Sequence, residues 1–561
     1  MQFSDGTEVT VPSEGVVLLV GPNNAGKSQT LKDLNGQPRD ANYRGKTLAS
    51  VTYEKAMTGD VQDWVSSNIP RLSRAGLDRF QVEGWGEVGL SDVVAHLQQP
   101  QLGMLTSTFV LHADGTSRLS AGDSQQSLDF SVAIAQHPVQ RAYQDSALET
   151  EIDTESQAAF GLGVTVDRYG GSVISLRLGV RPIFEHEGGR PLTPYLEALK
   201  ALPRLEEQGD GVRSYLGVAL HIAAGLHQVL LIDEPEAFLH PPQARRLGGV
   251  LARKAKAQQA FIATHSTDIV QGALEAGSAI TIVRITRDGD VNHAAVLKDE
   301  AVKQLWSDPL LRYSNVLDGL FHDAVVLCES DADCRYYAAV LDHLPKAKGE
   351  ALRDPQLLFT HCGGKARMSS VVDALRAVSV PVVVVADFDV LKEVKDIQRL
   401  VTALGGQFAE YEADLKMVAR ALESDAKPLR RLTLKDDLVA KIEALSDDNI
   451  TRRDAEQLRA VIRSDTGWDK AKRAGIKAVS QGGASEACER LLAGLRKLGL
   501  LVVEVGELER FAPGISGHGP GWVTEVLEQK LHEAPGADAV EFVRRIRTSA
   551  AGPQAVGHDL T

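Results

Sequence analysis

The hydrophobic pattern of the chain predicts short buried strands that end in polar or glycine-rich sequence. Runs rich in Val, Ile and Leu occur at 15–20, 229–232, 259–263, 323–328 and 380–386. Runs of this length are typical of parallel strands that are covered on both faces. Helical stretches lie between many of them, so the sequence predicts an α/β fold.

The first apolar run leads into the sequence GPNNAGKS at 21–28, and a helix start follows it. A strand, a G-x-x-x-x-G-K-S loop and a helix form the context in which backbone N–H groups and a helix N-terminus hold phosphates. In that context Lys27 would reach the β- and γ-phosphates, and Ser28 would bind Mg²⁺. We therefore predict an ATP site that contains Gly21, Asn23, Asn24, Gly26, Lys27, Ser28 and Gln29.

Two further strands end in residues that suit nucleotide hydrolysis. The strand 229–232 is followed by Asp233, which could hold Mg²⁺ through water, and by Glu234, which could act as a general base. The strand 259–263 ends in Thr-His-Ser, and its His265 could contact the γ-phosphate. Surface acid pairs and packed histidines are common, but the apolar strand before each group favours a functional site.

In this order and spacing, the loop, LLIDEP and ATHS resemble the ABC-type ATPase heads of the RecF and SMC kind. The resemblance implies that two heads clamp ATP between them, so we expect a homodimer or a higher homo-oligomer. It also implies a signature loop, which would be 208–214, with Gly211 and Ser214 as nucleotide contacts. This stretch departs from the usual LSGGQ, and no Q-loop glutamine can be assigned. Long heptad repeats are missing, which excludes an SMC-type coiled coil.

A second α/β pattern begins near residue 321. The strand 323–328 ends at Glu329, and the strand 380–386 ends in Asp387-Phe388-Asp389. Acids that follow parallel strands meet at one edge of a sheet, and alternate residues of an extended chain point the same way. Such oxygen ligands select Mg²⁺ or Mn²⁺. The alternative is that the acids only stabilise helix N-termini.

This pair of acidic motifs resembles the Toprim domain of topoisomerases, primases and related nucleases, although Ser330 stands where Toprim domains usually have glycine. An ATPase head followed by a Toprim domain resembles the OLD (overcoming lysogenisation defect) family, whose Gabija relatives defend bacteria against phage. The family resemblance adds an acid four residues after the first, a Gly-Gly-Lys motif and a late acidic motif that completes a second metal site. In this sequence the added positions are Asp333, Lys365, Glu507 and Glu509.

The predicted domains follow from these motifs. The ATPase domain is predicted at 1–320, with an insertion or lid at about 45–200. The Toprim domain is predicted at 321–550, with a helical insertion at about 391–500, and a flexible tail at 551–561. Basic residues of the helical insertion, including Lys472 and Arg473 beside Trp468, could contact a phosphate backbone. They could equally be a solvated helix face.

Composition narrows the location and the partners. The formal net charge of −14 excludes a chain-wide nucleic-acid coat, so any such contact must be local. The four cysteines have no zinc-binding spacing and fit a reducing compartment. No apolar run approaches the ~18 residues of a membrane span, so we expect a cytoplasmic protein without a membrane contact.

The favoured interpretation is an ATP-regulated, metal-dependent endonuclease that acts on nucleic acid, with DNA favoured, in anti-phage defence. One alternative is an ATPase sensor whose Toprim domain cleaves RNA such as tRNA, as the PARIS defence system suggests. Another is a non-nucleolytic, ATP-driven clamp or scaffold. The sequence leaves open whether a second defence-system protein is a partner.

Overall fold

The strands predicted from the apolar runs form two separate parallel sheets. The chain divides into the units Met1–Trp306 and Ser307–Thr561, and the predicted α/β class is confirmed. The predicted domain boundaries themselves stay predictions, and the predicted tail lies outside the described residues from 552 onward. The computed structural model describes residues 1–55, 60–69, 71–74, 77–82, 85–129, 135–254, 258–277, 280–297, 315–345, 355–424, 431–445, 450, 454–455, 458 and 466–551.

In the first unit, a six-stranded sheet carries the nucleotide motifs. The strand Gly15–Val20 lies between Gln259–Ala263 and Ile280–Asp288, and all three run parallel. Val229–Asp233 and then Val110–Ala113 extend the sheet in parallel on one side. The register pairs Asp233 with Ala263 and Ala263 with Leu19, so the ends of the three motif strands lie level at one edge.

An antiparallel strand, Val291–Leu297, closes the other edge of this sheet, as predicted for the hairpin at 279–297. The predicted hairpin at 162–181 is also confirmed, with paired strands. The predicted helix at 61–73 is wrong at its end, because residues 71–74 pair as a strand with 77–80. The other strands of the unit are Gln2–Phe3, Leu48–Ser50, Arg71–Arg74, Leu77–Val82, Gly86–Gly89, Gln125–Gln126, Gly163–Asp167, Val173–Gly179, His186–Glu187 and Arg190–Pro191.

Helices cover the main sheet of the first unit and fill its insertion. The predicted strand at 107–112 is helical as far as Phe109 and extended only from Val110. The helices are Lys27–Arg39, Val61–Asn68, Leu90–Leu97, Thr106–Phe109, Gly115–Ser120, Pro138–Gln144, Ser146–Phe160, Thr193–Ala201, Asp210–Ala224, Pro241–Lys254 and Thr267–Glu275.

The second unit is built on a four-stranded parallel sheet in the order Leu357–His361, Ala324–Cys328, Val382–Ala386 and Leu500–Val502. The two central strands are fully buried, as their continuous apolar sequence predicts. No helix among the described residues is both long and apolar enough to cross a bilayer. The helices are Asp331–His343, Met368–Ala377, Val394–Ala403, Ala409–Ser424, Arg431–Glu443, Gly467–Ala474, Gly483–Leu498, Pro520–Glu528 and Ala537–Ala551.

Three histidines of the first unit are held neutral by burial. Burial lowers the pKa of His221 to about 3 and the pKa of His137 to about 4, and it also lowers the pKa of His227. An unfolded histidine has a pKa of about 6.5, so below that pH the unfolded chain binds more protons than the folded chain. The first unit therefore loses stability as the pH falls from about 6.5 to about 4.

Replacing His221 with leucine is expected to flatten this acid destabilisation. Without His221, the chain takes up one proton fewer when it unfolds in acid. The slope of the unfolding free energy with pH therefore falls by up to about 1.4 kcal/mol per pH unit. Thermal melts at pH 7, 6 and 5 measure the effect, with His186→Leu as a control because His186 is exposed. A His221→Leu protein whose melting temperature falls with pH as steeply as that of the wild type would contradict the expectation.

Candidate nucleotide and metal sites

The loop after Gly15–Val20 has the conformation that a phosphate-binding loop requires. Gly21 has a φ of 141°, and Asn24 lies in the left-handed region with a φ of 64°. A Cβ atom on Gly21 would overlap the backbone carbonyl of Ile285, so only glycine fits against the neighbouring strand. The helix Lys27–Arg39 begins directly after this loop and directs its N-terminus at it.

The side chains of Lys27 and Ser28 are already oriented around the loop. Lys27 is buried, and its Nζ donates to the carbonyl oxygens of Gly21 at 2.7 Å and Pro22 at 2.9 Å. Burial lowers the pKa of Lys27 to about 8, although the nearby carboxylates oppose this shift. Ser28 Oγ donates to Asp233 Oδ1 at 2.8 Å, so the two predicted magnesium ligands, one at the helix start and one at a strand end, lie together.

Glu234 and His265 also meet at this edge of the sheet. His265 Nε2 lies 3.4 Å from Glu234 Oε1, and Glu234 has a positive φ of 49°. Burial, and then the charge of Lys27, lower the pKa of His265, which favours the neutral imidazole. The structure thus brings together the predicted general base, the predicted γ-phosphate contact and the phosphate loop.

Two residues beside these were missed by sequence reasoning. Glu236 Oε1 accepts hydrogen bonds from Thr264 Oγ1 at 2.9 Å and from the backbone N–H of His265 at 2.6 Å, which ties together the two strand ends. Arg118 is buried, and its charge faces Glu236. Glu236 could have been predicted, because it is a third acid, two residues after the Asp233-Glu234 pair. The sequence around Arg118 contains no motif that indicates its role.

Of the remaining predicted nucleotide contacts, two are exposed on the loop and one is directed along the helix that follows it. Asn23 and Asn24 are exposed. The amide of Gln29 donates to Asp33 Oδ1 at 2.8 Å and is therefore directed along its own helix.

The predicted signature loop at 208–214 is largely helical. Gly209 is the N-cap of the helix Asp210–Ala224, so Gly211 lies in the first turn and Ser214 in the next. Ser214 is fully buried, and its hydroxyl has no hydrogen-bond partner among the described residues. We therefore exclude the Ser214 side chain from the nucleotide site, which corrects the sequence-based expectation.

Asn292, on the antiparallel edge strand, holds the phosphate loop in place. Its buried Nδ2 donates to the carbonyl oxygen of Ala25 at 2.7 Å, and its backbone N–H donates to Ser4 Oγ at 2.7 Å. Sequence reasoning missed Asn292, because its distance along the chain gives no local signal.

Asn292→Ala is expected to weaken ATP binding by about tenfold. The variant leaves the buried Ala25 carbonyl without its donor, and an unpaired buried carbonyl costs about 1–3 kcal/mol. Titration with a fluorescent ATP analogue measures the affinity. His293→Ala, in the same strand but outside the loop, is the control, because His293 contacts Asp5 instead. An unchanged ATP affinity of Asn292→Ala would show that the loop holds its shape without this bond.

In the second unit, three predicted acids converge at the ends of two neighbouring strands. Ligand oxygens of Glu329, Asp387 and Asp389 all lie within 4.8 Å of one another. The backbone N–H of Asp387 donates to Glu329 Oε1 at 3.1 Å, which fixes the two strand ends relative to each other. Asp389 Oδ1 is buried and has no hydrogen-bond partner among the described residues. A divalent cation would supply the missing partner, so the donor set fits Mg²⁺ or Mn²⁺.

The electrostatics of these acids also fit a cation. Burial, and then the charge of Asp389, raise the pKa of Glu329 to about 7. Burial, and then the charge of Glu329, raise the pKa of Asp387 well above its ordinary value. Close carboxylates oppose one another's ionisation, and a bound cation relieves that repulsion.

The structure explains why serine, and not the glycine usual in Toprim domains, stands at position 330. Ser330 is the N-cap of the helix Asp331–His343, and its backbone N–H and its Oγ donate to Asp333 Oδ2 at 2.8 and 2.9 Å. This is a capping box, in which Asp333 satisfies the helix N-terminus. Asp333 is thus committed in part to the helix, and it lies outside the group of three acids described above.

A second acidic group lies on the loop after the strand Leu500–Val502. Ligand atoms of Glu507, Glu509 and His518 lie within 4.8 Å of one another. Glu507 Oε1 also accepts from Arg510 at 2.8 Å. Sequence reasoning missed His518. A cavity of about 630 Å³, called the acidic cavity below, connects the two groups, and its lining includes Glu329, Asp333, Asp387, Lys472, Glu507, Glu509 and His518.

Lys365 of the Gly-Gly-Lys motif reaches the same site. Its Nζ lies 2.9 Å from Asp389 Oδ2. The backbone N–H of Gly364 donates to the carbonyl oxygen of Glu329 at 3.1 Å, which positions this motif beside the acids. Every acid predicted for the second unit therefore lies in or beside one acidic cavity, with Lys365 paired to one of them.

Two family models match the chain, one in each unit. The model described as "AAA domain, putative AbiEii toxin, Type IV TA system" matches residues 118–270, which hold Asp233, Glu234 and His265. The model described as "Overcoming lysogenization defect protein-like, TOPRIM domain" matches residues 320–389, which hold Glu329 and Asp387. A search of the curated proteins finds no match.

Solved structures with a partial likeness to the chain include heads of SMC proteins. The SMC head bound to the C-winged helix domain of ScpA is 11% identical, and the alignment covers 53% of this chain and 94% of that chain with a TM-score of 0.32. The SMC head domain from Thermotoga maritima is 16% identical over 52% of this chain and 92% of that chain, with a TM-score of 0.25. These values describe a distant likeness, from which we conclude nothing about ligands or assembly.

The two family matches follow the order in which the motifs occur along the chain. The Asp-Glu strand lies in the residues that match an ATPase family model, and the phosphate loop follows a strand of the same sheet. The paired acidic strands match a Toprim family model C-terminal to it. The resemblance predicted from the motifs is thereby confirmed. The chain is a fusion of an ATPase domain and a Toprim domain of the OLD type.

Proposed function

We propose that this protein is an ATP-regulated, divalent-metal-dependent endonuclease. The observation that carries the proposal is the convergence of Glu329, Asp387 and Asp389, with an unpaired buried oxygen on Asp389. Acids that serve only to cap helices have no need to gather within one cavity and to raise one another's pKa. This arrangement favours a nuclease over a purely structural Toprim fold.

Glu329, Asp387 and Asp389 would hold one divalent ion, and Glu507 and Glu509 a second, with Asp333 beside them. When bound, such ions supply electrophilic stabilisation to a phosphodiester and to the water that attacks it. The protein's own contribution is to position the carboxylates: the bond from the Asp387 N–H to Glu329 fixes their spacing, and Lys365 orients Asp389.

On the ATPase side, Lys27 and the loop N–H groups would hold the phosphates, and Ser28 and Asp233 would hold Mg²⁺. Glu234 would orient and deprotonate the attacking water, and the neutral His265 beside it would donate a hydrogen bond to the γ-phosphate. Two copies of the chain would share the nucleotides, so we propose a homodimer or a higher homo-oligomer. In this proposal the nucleotide state controls cleavage but supplies none of its chemistry.

We further propose nucleic acid, and DNA before RNA, as the substrate, with defence against phage as the biological role. The acidic cavity suits any phosphodiester, because carboxylate-bound metals act on the phosphate and not on the base or the sugar. RNA cleavage is therefore an outcome that the experiment must separate from DNA cleavage.

Incubation of the purified protein with supercoiled plasmid and with total tRNA tests the proposal. Each substrate is tested in Mg²⁺ or Mn²⁺, with and without ATP, and EDTA provides the metal-free control. Metal-dependent cutting of plasmid supports the proposed nuclease, and cutting of tRNA alone would replace it with an RNase. Intact ATP hydrolysis without any cleavage, under every nucleotide condition, would favour the clamp or scaffold instead.

A further inference from the structure

The short helix Gly467–Ala474, here called the insertion helix, forms part of the wall of the acidic cavity. It lies within the predicted helical insertion, far along the chain from the acids. Lys472 on this helix lines the cavity, and its Nζ lies 3.8 Å from Asp389 Oδ2. The same oxygen lies 2.9 Å from Lys365 Nζ, so the protein places two ammonium groups at one carboxylate.

The insertion helix is anchored rigidly at both of its ends. Thr466 and Asp469 form a capping box at its start, and the indole of Trp468 is buried. At its other end, the backbone N–H of Ile476 donates to the carbonyl oxygen of Glu504 at 3.0 Å. The position of Lys472 is therefore set by backbone packing and not by a flexible surface loop.

A close backbone approach also ties this helix to the second acidic group. Gly506 has a φ of 116°, and a Cβ atom on it would overlap the carbonyl oxygen of Lys472. Gly506 directly precedes Glu507, so the backbone of Lys472 packs against the loop that carries the second set of acids. The insertion helix thus packs directly against the loop that forms the cavity, and it is an integral part of the cavity wall.

Lys472 lies among the acids of both groups. Its ammonium group pairs with Asp389, and Lys472 lines the same cavity as Asp387, Glu507 and Glu329. A lysine on a solvated helix face would not be surrounded by the acids of both groups. The alternative that these basic residues only form a solvated helix face therefore does not hold for Lys472.

We propose that Lys472 is a further residue of the nuclease site, which binds the phosphate of the nucleic-acid substrate. This inference rests on the nuclease function proposed above. A divalent ion bound at Asp389 Oδ1 would neutralise the acids that now attract Lys472, and it would repel the ammonium group of Lys472. The anchored Lys472 would then remain at the cavity wall, where it could bind a substrate phosphate that the metal ions hold. A compact ammonium group with three donors suits a single phosphate oxygen.

The test compares Lys472→Gln with Lys477→Gln. Lys477 lies just beyond the insertion helix, is exposed, and does not line the cavity. In Lys472→Gln, metal-dependent cleavage is expected to fall by about 100-fold, as for the loss of one charge-stabilising donor. Its Mn²⁺ affinity, measured by calorimetry without substrate, is expected to stay equal or to tighten by up to about fivefold, because a competing cation is removed.

The opposite signs of these two effects separate a phosphate-binding role from a structural one. If Lys472 only maintained the fold, Mn²⁺ binding and the melting temperature would fall together with cleavage, and the proposal would be wrong. Lys472→Arg keeps the charge and is expected to retain part of the activity. Wild-type cleavage that Lys472→Gln leaves unchanged would also overturn the proposal.

Failure of the proposed nuclease function is recognisable separately. It would appear as a wild-type protein that cleaves no substrate in any metal. In that case Lys472 would have no substrate phosphate to bind, and the proposal would fall as well. The Mn²⁺ affinities of wild type and Lys472→Gln would still report whether the lysine competes for Asp389.

Discussion

Asp387→Asn is expected to reduce metal-dependent cleavage by about 1000-fold or more. The amide keeps the size of the side chain but removes a negative ligand from the group that contains Glu329 and Asp389. The metal supplies several kcal/mol of charge stabilisation in such reactions, and about 4 kcal/mol corresponds to a factor of 1000. Cleavage of supercoiled plasmid in Mn²⁺, together with Mn²⁺ titration by calorimetry, measures both consequences.

The same substitution is not expected to unfold the protein. Asp387 is partly buried among other acids, and its pKa is raised by burial and by Glu329. A neutral side chain at this position relieves repulsion, so the melting temperature without metal should stay the same or rise. Asp342→Asn, an exposed acid on the helix Asp331–His343, is the control. If Asp387→Asn cleaves as fast as the wild type, then Asp387 and the acids grouped with it do not take part in the reaction.

The features that sequence predicted well are local ones. The strands Gly15–Val20 and Gln259–Ala263 have the predicted bounds, because a short apolar run between polar or turn-forming segments has few other stable conformations. Because the strands are parallel, the residues at their ends meet at one edge of each sheet. The meeting of Ser28 with Asp233, and of Glu329 with Asp387, could therefore be predicted without knowledge of the packing.

The features that sequence did not predict depend on contacts between distant segments. Asn292 reaches the phosphate loop across 267 positions of the chain, and no neighbour in sequence marks its role. For Lys472, the sequence indicated a possible phosphate contact but not its position beside Asp389. Such residues become visible only when the packing of hairpins and inserted helices is known.

The stretch 208–214 shows a different kind of error. Its glycines lower the helix propensity and suggest a loop. The helix Asp210–Ala224 nevertheless begins there, because Ser214 and the apolar residues after it are buried. Tertiary packing thus overrides a weak local preference, and Ser214 becomes a core residue. A signature-like contact to nucleotide would have to come from residues at or before the helix start.

Lys27→Ala is expected to weaken ATP binding by about 10- to 100-fold, since a hydrogen bond from a charged group contributes about 1.5–3 kcal/mol. The variant also leaves the carbonyl oxygens of Gly21 and Pro22 without the donor that they now share. Titration with a fluorescent ATP analogue measures the affinity. Lys32→Ala is the control, because Lys32 is exposed on the same helix. ATP affinity equal to that of the wild type would contradict a phosphate-binding role for this loop.

The plasmid assay on Lys27→Ala then gives the sign of the regulation. Its carboxylates in the second unit are unchanged, so its Mn²⁺ affinity should equal that of the wild type. Cleavage that rises in the variant and no longer responds to ATP would mean that bound nucleotide restrains the nuclease. Cleavage that falls, with Mn²⁺ binding intact, would mean that nucleotide activates it. Cleavage that equals the wild type with and without ATP would show that the two activities are independent, and would overturn the proposal that ATP regulates the nuclease.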